Sequence, residues 1–200
     1  GPPSSARCLA HILSEGSPSE QARARELYAS AAQAGDAPAC YWAYLQREEG
    51  DPAAARRFRD LLRAQATQQA EAAYYAALLD HREARRAEDE AGAARARAEL
   101  ERLAEEGSRS AQVWLAETLQ AEGSYERAFV FAQLAASQGS RVALRLVGLF
   151  HLRGQGGAAP DPPRGVHYLL RASRLGDAES MYRYALCLRT GQGRDAPDPE

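Results

Sequence analysis

The residues of this 200-residue chain best suited to metal or nucleophile chemistry are four histidines and three cysteines. Their spacing argues against both kinds of site. His11, His81, His151 and His167 share no i,i+4 pairing, no H-E-x-x-H motif and no nearby cysteine, so a zinc site has no ligand set to begin from. Cys8, Cys40 and Cys187 are odd in number and widely spaced, without a C-x-x-C pair. The segments RGQGG (Arg153 to Gly157) and TGQG (Thr190 to Gly193) have the glycines of a phosphate loop, but no strand precedes them and no Lys follows. Carboxylates are plentiful, yet no spacing selects an acid/base pair. The chain therefore reads as non-enzymatic, without metal or cofactor, and recognition is the chemistry left to it.

The composition states which elements must position the recognising residues. Alanine makes up roughly a fifth of the chain, while the β-branched residues that strands favour are scarce. Helices follow. Twenty-five basic residues stand against 27 acidic ones, for a formal charge of -2, which argues against a dedicated binder of nucleic acid or anionic membrane. No window approaches the apolar run of about 18 residues that a spanning helix needs. Every basic residue is Arg, and neither Lys nor Asn occurs, which reads as the codon bias of a GC-rich bacterial genome. The chain begins Gly1-Pro2-Pro3-Ser4-Ser5 without Met, as a processed or trimmed product would, so a missing secretion signal does not argue for the cytosol.

An internal repeat organises these helices. Helix endings rich in small residues recur at Ser30 to Asp36, Arg102 to Ser108, Gln133 to Ser140 and Arg171 to Asp177, and a hidden copy carries Gln68 in place of the glycine. The marker column is Gly35, Gln68, Gly107, Gly139 and Gly176, in steps of 33, 39, 32 and 37 residues. Four residues after each marker stands a small residue: Ala39, Ala72, Ala111, Ala143 and Ser180. Directly after the marker come Asp36, Gln69, Ser108, Ser140 and Asp177, four of them strong N-cap residues. A left-handed glycine ends one helix and the next residue caps the following one.

A second break divides each repeat into two helices. Ser17-Pro18-Ser19-Glu20 forms a capping box with Pro in the first turn, and Asp51-Pro52 and Asp161-Pro162 pair an N-cap acid with the same kind of Pro. The spacing predicts first helices at 5–15, 37–49, 70–87, 109–122, 141–153 and 178–190. Second helices follow at 18–34, 52–66, 90–106, 125–138 and 162–175. The charged run Asp80 to Glu90 reads as a solvated helix laced with Glu/Arg pairs. On these helices Cys40 and Cys187 fall on apolar faces and read as small buried hydrophobes, and a Cys8–Cys40 disulfide is conceivable. The ending GQGRDAPDPE repeats GQGGAAPDPP at a spacing of 37, so Asp198-Pro199 stands where a second helix begins, and the natural protein is expected to continue.

These residues resemble the Sel-one-like repeat (SLR) family, α/α relatives of tetratricopeptide repeats. The clearest copy is Ala143, Val147-Gly148, Gly154-Gln155-Gly156, Asp161, Gly165, Tyr168, Ala172-Ser173 and Gly176. Other copies keep Ala24, Tyr28, Ala31-Ala32 and Gly35, or Ala128, Phe131, Ala135-Ala136 and Gly139. The second copy departs most, with Gln65 and Gln68 in place of Ala and Gly. The resemblance implies an all-α, right-handed α/α solenoid over 1–200, of five hairpins plus one further helix, with repeats near 1–35, 36–68, 69–107, 108–139, 140–176 and a partial one at 177–200. It further implies an adaptor or scaffold of the bacterial periplasm or envelope that holds a partner protein or peptide in a concave groove lined by first helices. An immunity protein neutralising a secreted toxin falls within that class, and a cell-wall-related hydrolase is the alternative outside it.

Carried over by register, the groove column six residues after each marker holds Tyr41, Tyr74, Val113, Arg145 and Tyr182. Aromatic and Arg residues are the types that most often anchor interfaces. His81, Glu48, Glu117, Arg153 and Arg189 join them from neighbouring first-helix positions, with His11, Leu45, Leu78, Leu149 and Leu186 completing a mixed surface. Trp42, Tyr75 and Trp114, one position further on, are expected to pack between hairpins. Because both end helices lack an obvious polar capping repeat, concentration-dependent association is expected.

Overall fold

The computed structural model describes residues 2–157 and 159–193. Among them are eleven α-helices and no strand: α1 (Pro3–Leu13), α2 (Pro18–Gln33), α3 (Ala37–Leu45), α4 (Pro52–Ala66), α5 (Ala70–Arg86), α6 (Glu90–Glu105), α7 (Arg109–Ala121), α8 (Tyr125–Ser137), α9 (Arg141–Arg153), α10 (Pro162–Arg174) and α11 (Ala178–Thr190). Each predicted helix is present. α3 stops four residues before its expected end, and residues 46–50 continue as hydrogen-bonded turns in which the Arg47 and Glu48 amides both donate to the Tyr44 carbonyl. Arg47 uses its side chain to tie this turn down, donating to the Arg25 carbonyl at 3.1 Å and lying 5.2 Å over the Phe58 ring. The helix expected at Asp198-Pro199 falls outside the described residues.

Turn chemistry sets these boundaries. Gly35, Gly107, Gly139 and Gly176 all have φ between 77° and 96°, the left-handed conformation that ends a helix without a Cβ penalty. At three of them the next amide reaches back to close the turn: Asp36 to Ala31 O, Ser140 to Ala135 O and Asp177 to Ala172 O. The side chains of Asp36, Ser108, Ser140 and Asp177 then accept from the amides of Ala39, Ala111, Ala143 and Ser180. Gln68 is absent from the positive-φ set, and Gln69 makes no side-chain cap. That turn is held by the Gln68 and Gln69 amides, which both donate to the Gln65 carbonyl. Inside the third repeat Glu88 takes the left-handed role at φ 55°, the one non-glycine to do so among the described residues.

The chain divides into two compact units, residues 1–103 and 104–200. In the first, α1 packs on α2, α2 on α3, α3 on α4 and α4 on α5, with α3 also touching α5 directly. Its core is built on alanine, with Ala24, Ala32, Ala39, Ala43 and Ala72 fully buried around Tyr28, Cys40, Leu62 and Leu79. Alanine lets backbones approach closely while Tyr28 and the leucines fill the wider gaps. In the second unit α7 packs on α8, α8 on α9, α9 on α10 and α10 on α11. The α9–α10 crossing is close: a Cβ on Gly165 would lie 2.8 Å from the Gly148 carbonyl oxygen and 2.7 Å from Leu152 Cγ. All five small residues four places after the markers are fully buried.

Candidate partner-binding faces

In the first unit the first helices present a continuous run of rings. Trp42 of α3 sits 5.8 Å from His11 of α1 and 6.5 Å from Tyr28 of α2, and 5.7 Å edge-on to its neighbour Tyr41. Tyr41 reaches across to Tyr75 of α5 at 5.4 Å, and Tyr75 meets Tyr74 edge-on at 4.9 Å. Such tilted and edge-to-face contacts suit the charge distribution of aromatic rings. Tyr75 thus links the two column residues Tyr41 and Tyr74. Trp42, expected between hairpins, is 37% exposed within this run, while Tyr75 packs against the core. Burial raises the phenol pKa of both Tyr41 and Tyr75.

Charged residues flank the rings and most are already committed within the unit. Glu48, whose side chain is 11% exposed, pairs with Arg82 at 3.4 Å and with Arg86, so it clamps α5 to the end of α3. Tyr44 donates to Glu83 at 2.7 Å, and Arg59 lies 3.4 Å from the same carboxylate. With its hydroxyl held to that carboxylate and its ring buried, Tyr44 has a pKa pushed up to about 12, burial being the larger cause. His81 is half-buried on α5, and burial, reinforced by Arg85 and Arg97, lowers its pKa.

In the second unit the candidates lie on α7, α9 and α11. Arg145 of α9 is turned to Asp177 at 3.2 Å. Asp177 is the N-cap of α11, accepting from the Ser180 amide at 2.9 Å and hydroxyl at 2.6 Å. Arg7 and Asp36 form a similar but longer pair in the first unit, at 3.6 Å. A guanidinium from one first helix thus steadies the acid that caps the next, a role the column pattern alone did not disclose. Glu117 of α7 is exposed at its surface, yet desolvation by surrounding protein raises its carboxyl pKa, partly offset by Arg145. Tyr182 is 67% exposed, and Arg153 and Arg189 lie exposed in the last turns of α9 and α11.

The remaining reactive side chains occupy structural surroundings. All three cysteines are free, Cys8 exposed and Cys40 and Cys187 buried, so the conceivable Cys8–Cys40 bridge is not formed. Burial pushes the Cys40 thiol up to about 12, well away from thiolate chemistry. His151 is stacked on Tyr168 and edge-on to Phe129. Gly154 and Gly191, the first glycine of each phosphate-loop look-alike, are left-handed caps of α9 and α11. Among the described residues, no group of three His, Cys, Asp or Glu could hold a metal ion, and no helix is long and apolar enough to cross a membrane.

Comparison with known proteins gives this architecture relatives. No curated protein matches. Among solved structures, c5321, a protective antigen present in uropathogenic Escherichia coli strains and displaying an SLR fold, superposes with a TM-score of 0.59 at 21% identity, over 96% of this chain and 42% of its own. A Sel1 repeat protein from Oxalobacter formigenes superposes with a TM-score of 0.52 at 22% identity, over 82% of this chain and 48% of its own. The chain therefore spans less than half the length of either, and what they share with it is the SLR solenoid fold. The Sel1 repeat matches residues 6–36, 110–140, 141–177 and 178–200, together more than half of the chain, and passes over the stretch that holds Gln65, Gln68 and Gln69. The chain belongs to the Sel1 repeat family.

Proposed function

We propose that this chain is a non-enzymatic module that binds a partner protein or peptide on the exposed faces of its first helices. Sel1 repeats are typically protein–protein interaction scaffolds, which supports the class of function. The observation that carries the reading is the run of rings from His11 through Trp42, Tyr41 and Tyr75 to Tyr74. Rigid aromatic surface of this kind is the usual anchor of an interface, because it buries much area while losing few rotamers. The flanking charges of both signs are largely paired within the unit, which suits a protein surface better than a polyanion.

The test is affinity capture from cell envelope and cytosol fractions, followed by calorimetry on the recovered partner with the wild-type chain and the Tyr41→Ala/Tyr74→Ala double variant. Loss of two anchors is expected to weaken binding by about 2 kcal/mol or more, about 30-fold, with the helical circular dichroism spectrum retained. Equal affinity for both forms would remove this face as the site. A single stoichiometric toxin or enzyme in the captured material would assign an inhibitory, immunity-type role, and several assembly components a scaffolding one.

A further inference from the structure

Among the described residues His151 is the one buried histidine, and no recognition role explains its position. It is 6% exposed in the last turn of α9, and its Nδ1 is buried without a hydrogen-bond partner. Its ring lies parallel to Tyr168 of α10, 5.7 Å away and tilted by 9°, and meets the edge of Phe129 of α8 at 5.4 Å and 88°. The three aromatic groups come from three helices, so the ring acts as a pin through the α8–α9–α10 packing. Its own backbone closes the adjoining turn: the Asp161 amide donates to the His151 carbonyl at 2.8 Å, and the Gln155 amide to the Phe150 carbonyl at 3.0 Å.

We infer that His151 makes the two backbone bonds that Gln155 and Asp161 give to the end of α9 an acid-released element of the second unit, closed while the imidazole is neutral and loosened when it is protonated. A neutral ring can stack in this pocket at little cost, whereas an imidazolium would leave a charge in an apolar site with a second N–H facing no acceptor. The charged groups that bear on it divide. Arg164, in the first turn of α10, opposes a further positive charge, and Asp161 favours one. Asp161 is already engaged as the cap of α10, accepting from the Arg164 amide at 3.0 Å. On the far side, α10 sets Arg171 5.9 Å over the Tyr168 ring and the His167 ring edge-on to it. The negative end of the α9 dipole favours protonation, but burial outweighs it and the His151 pKa lies below 6.5.

The direction of the effect follows from linkage. A histidine whose folded pKa is lowered binds its proton more readily in the opened state, so closure is fully favoured above about pH 6.5 and is progressively lost as pH falls toward the folded value. Amide exchange followed by NMR on the full chain between pH 7.5 and pH 5, corrected for intrinsic exchange rates, tests this. Protection of the Gln155 and Asp161 amides is expected to fall several-fold in the wild-type chain and to stay level in His151→Phe, while amides of α2 and α4 keep theirs. The same fall in His151→Phe, or none in the wild-type chain, overturns the inference. Should His151→Phe lose its fold, titration of the His151 ring protons in the wild-type chain decides, because a midpoint at or above that of a free histidine overturns it as well.

Discussion

At the scale of single residues, the two helix-crossing glycines are tightly constrained positions. Gly148 and Gly165 face one another where α9 crosses α10, and a methyl on either meets a carbonyl oxygen at 3.0 Å or less. Gly165→Ala is expected to lower stability by about 1–3 kcal/mol, since one of the atoms it meets is a backbone carbonyl oxygen, which cannot swing aside as a side chain can. Gly35→Ala is a useful contrast. Its Cβ would have open space, but φ of 92° makes the change costly for backbone reasons instead. Thermal unfolding of both variants checks this, and a Gly165→Ala chain as stable as the wild type would show that the helices can part without loss. Gly148 stands nine places after the Gly139 marker, as the small residues Ala77, Ala116 and Ala185 stand after theirs, and was legible from that column, whereas its partner Gly165 was legible only through family resemblance. What no column could reveal was the direction of each side chain: Arg145 and Glu48 sat in the right register for a partner and turned out to hold Asp177 and α5.

At the scale of elements, local chemistry decided nearly everything. Pro in the first turn, an acid or hydroxyl before it and a left-handed glycine after it are short-range signals, so the order of all eleven helices could be read directly from the sequence. The early end of α3 was not legible, because it depends on Arg47 finding the Arg25 carbonyl and the Phe58 ring, contacts made by residues distant in sequence. The start of α5 lacks a side-chain cap, as do those of α1 and α8. Gln69 has the extended backbone of an N-cap, with φ -130° and ψ 116°, but makes no cap bond. Gln69→Asp supplies the missing acceptor and a charge at the positive end of the helix dipole, and is expected to stabilise the chain by about 1 kcal/mol. A raised midpoint in urea with an unchanged slope would bear this out, and an unmoved midpoint would show that the turn cannot seat the carboxylate.

At the scale of the whole molecule, the repeat arrangement makes stability a matter of neighbours. α1 exposes Leu9 and Ile12, at 44% and 72%, and α11 exposes Met181, Tyr182 and Leu188, at 49%, 67% and 47%. In α9 the residues at the register of Met181 and Leu188, Leu144 and His151, are buried. Apolar helix faces of this size predict association that grows with concentration. Sedimentation velocity over a concentration series is expected to show a rising average mass, reduced by Ile12→Glu or Met181→Glu, and a constant monomer mass would refute it. The charge balance and the lack of an enzyme motif pointed toward recognition, but only the ring geometry distinguished the aromatic surface of α1, α3 and α5 from the rest of the first-helix faces.

The division into two compact units leaves one tryptophan in each, Trp42 in the first and Trp114 in the second. Fluorescence therefore comes with a built-in address. Replacing Trp42 by Phe leaves an emission that reports on residues 104–200, and replacing Trp114 leaves one that reports on residues 1–103. Trp42 also lies in ring contact with His11, so its emission should respond to that imidazole and to any molecule that settles on the same surface. Without any attached dye, the same two chromophores can time the opening of each half and show which one a partner touches first.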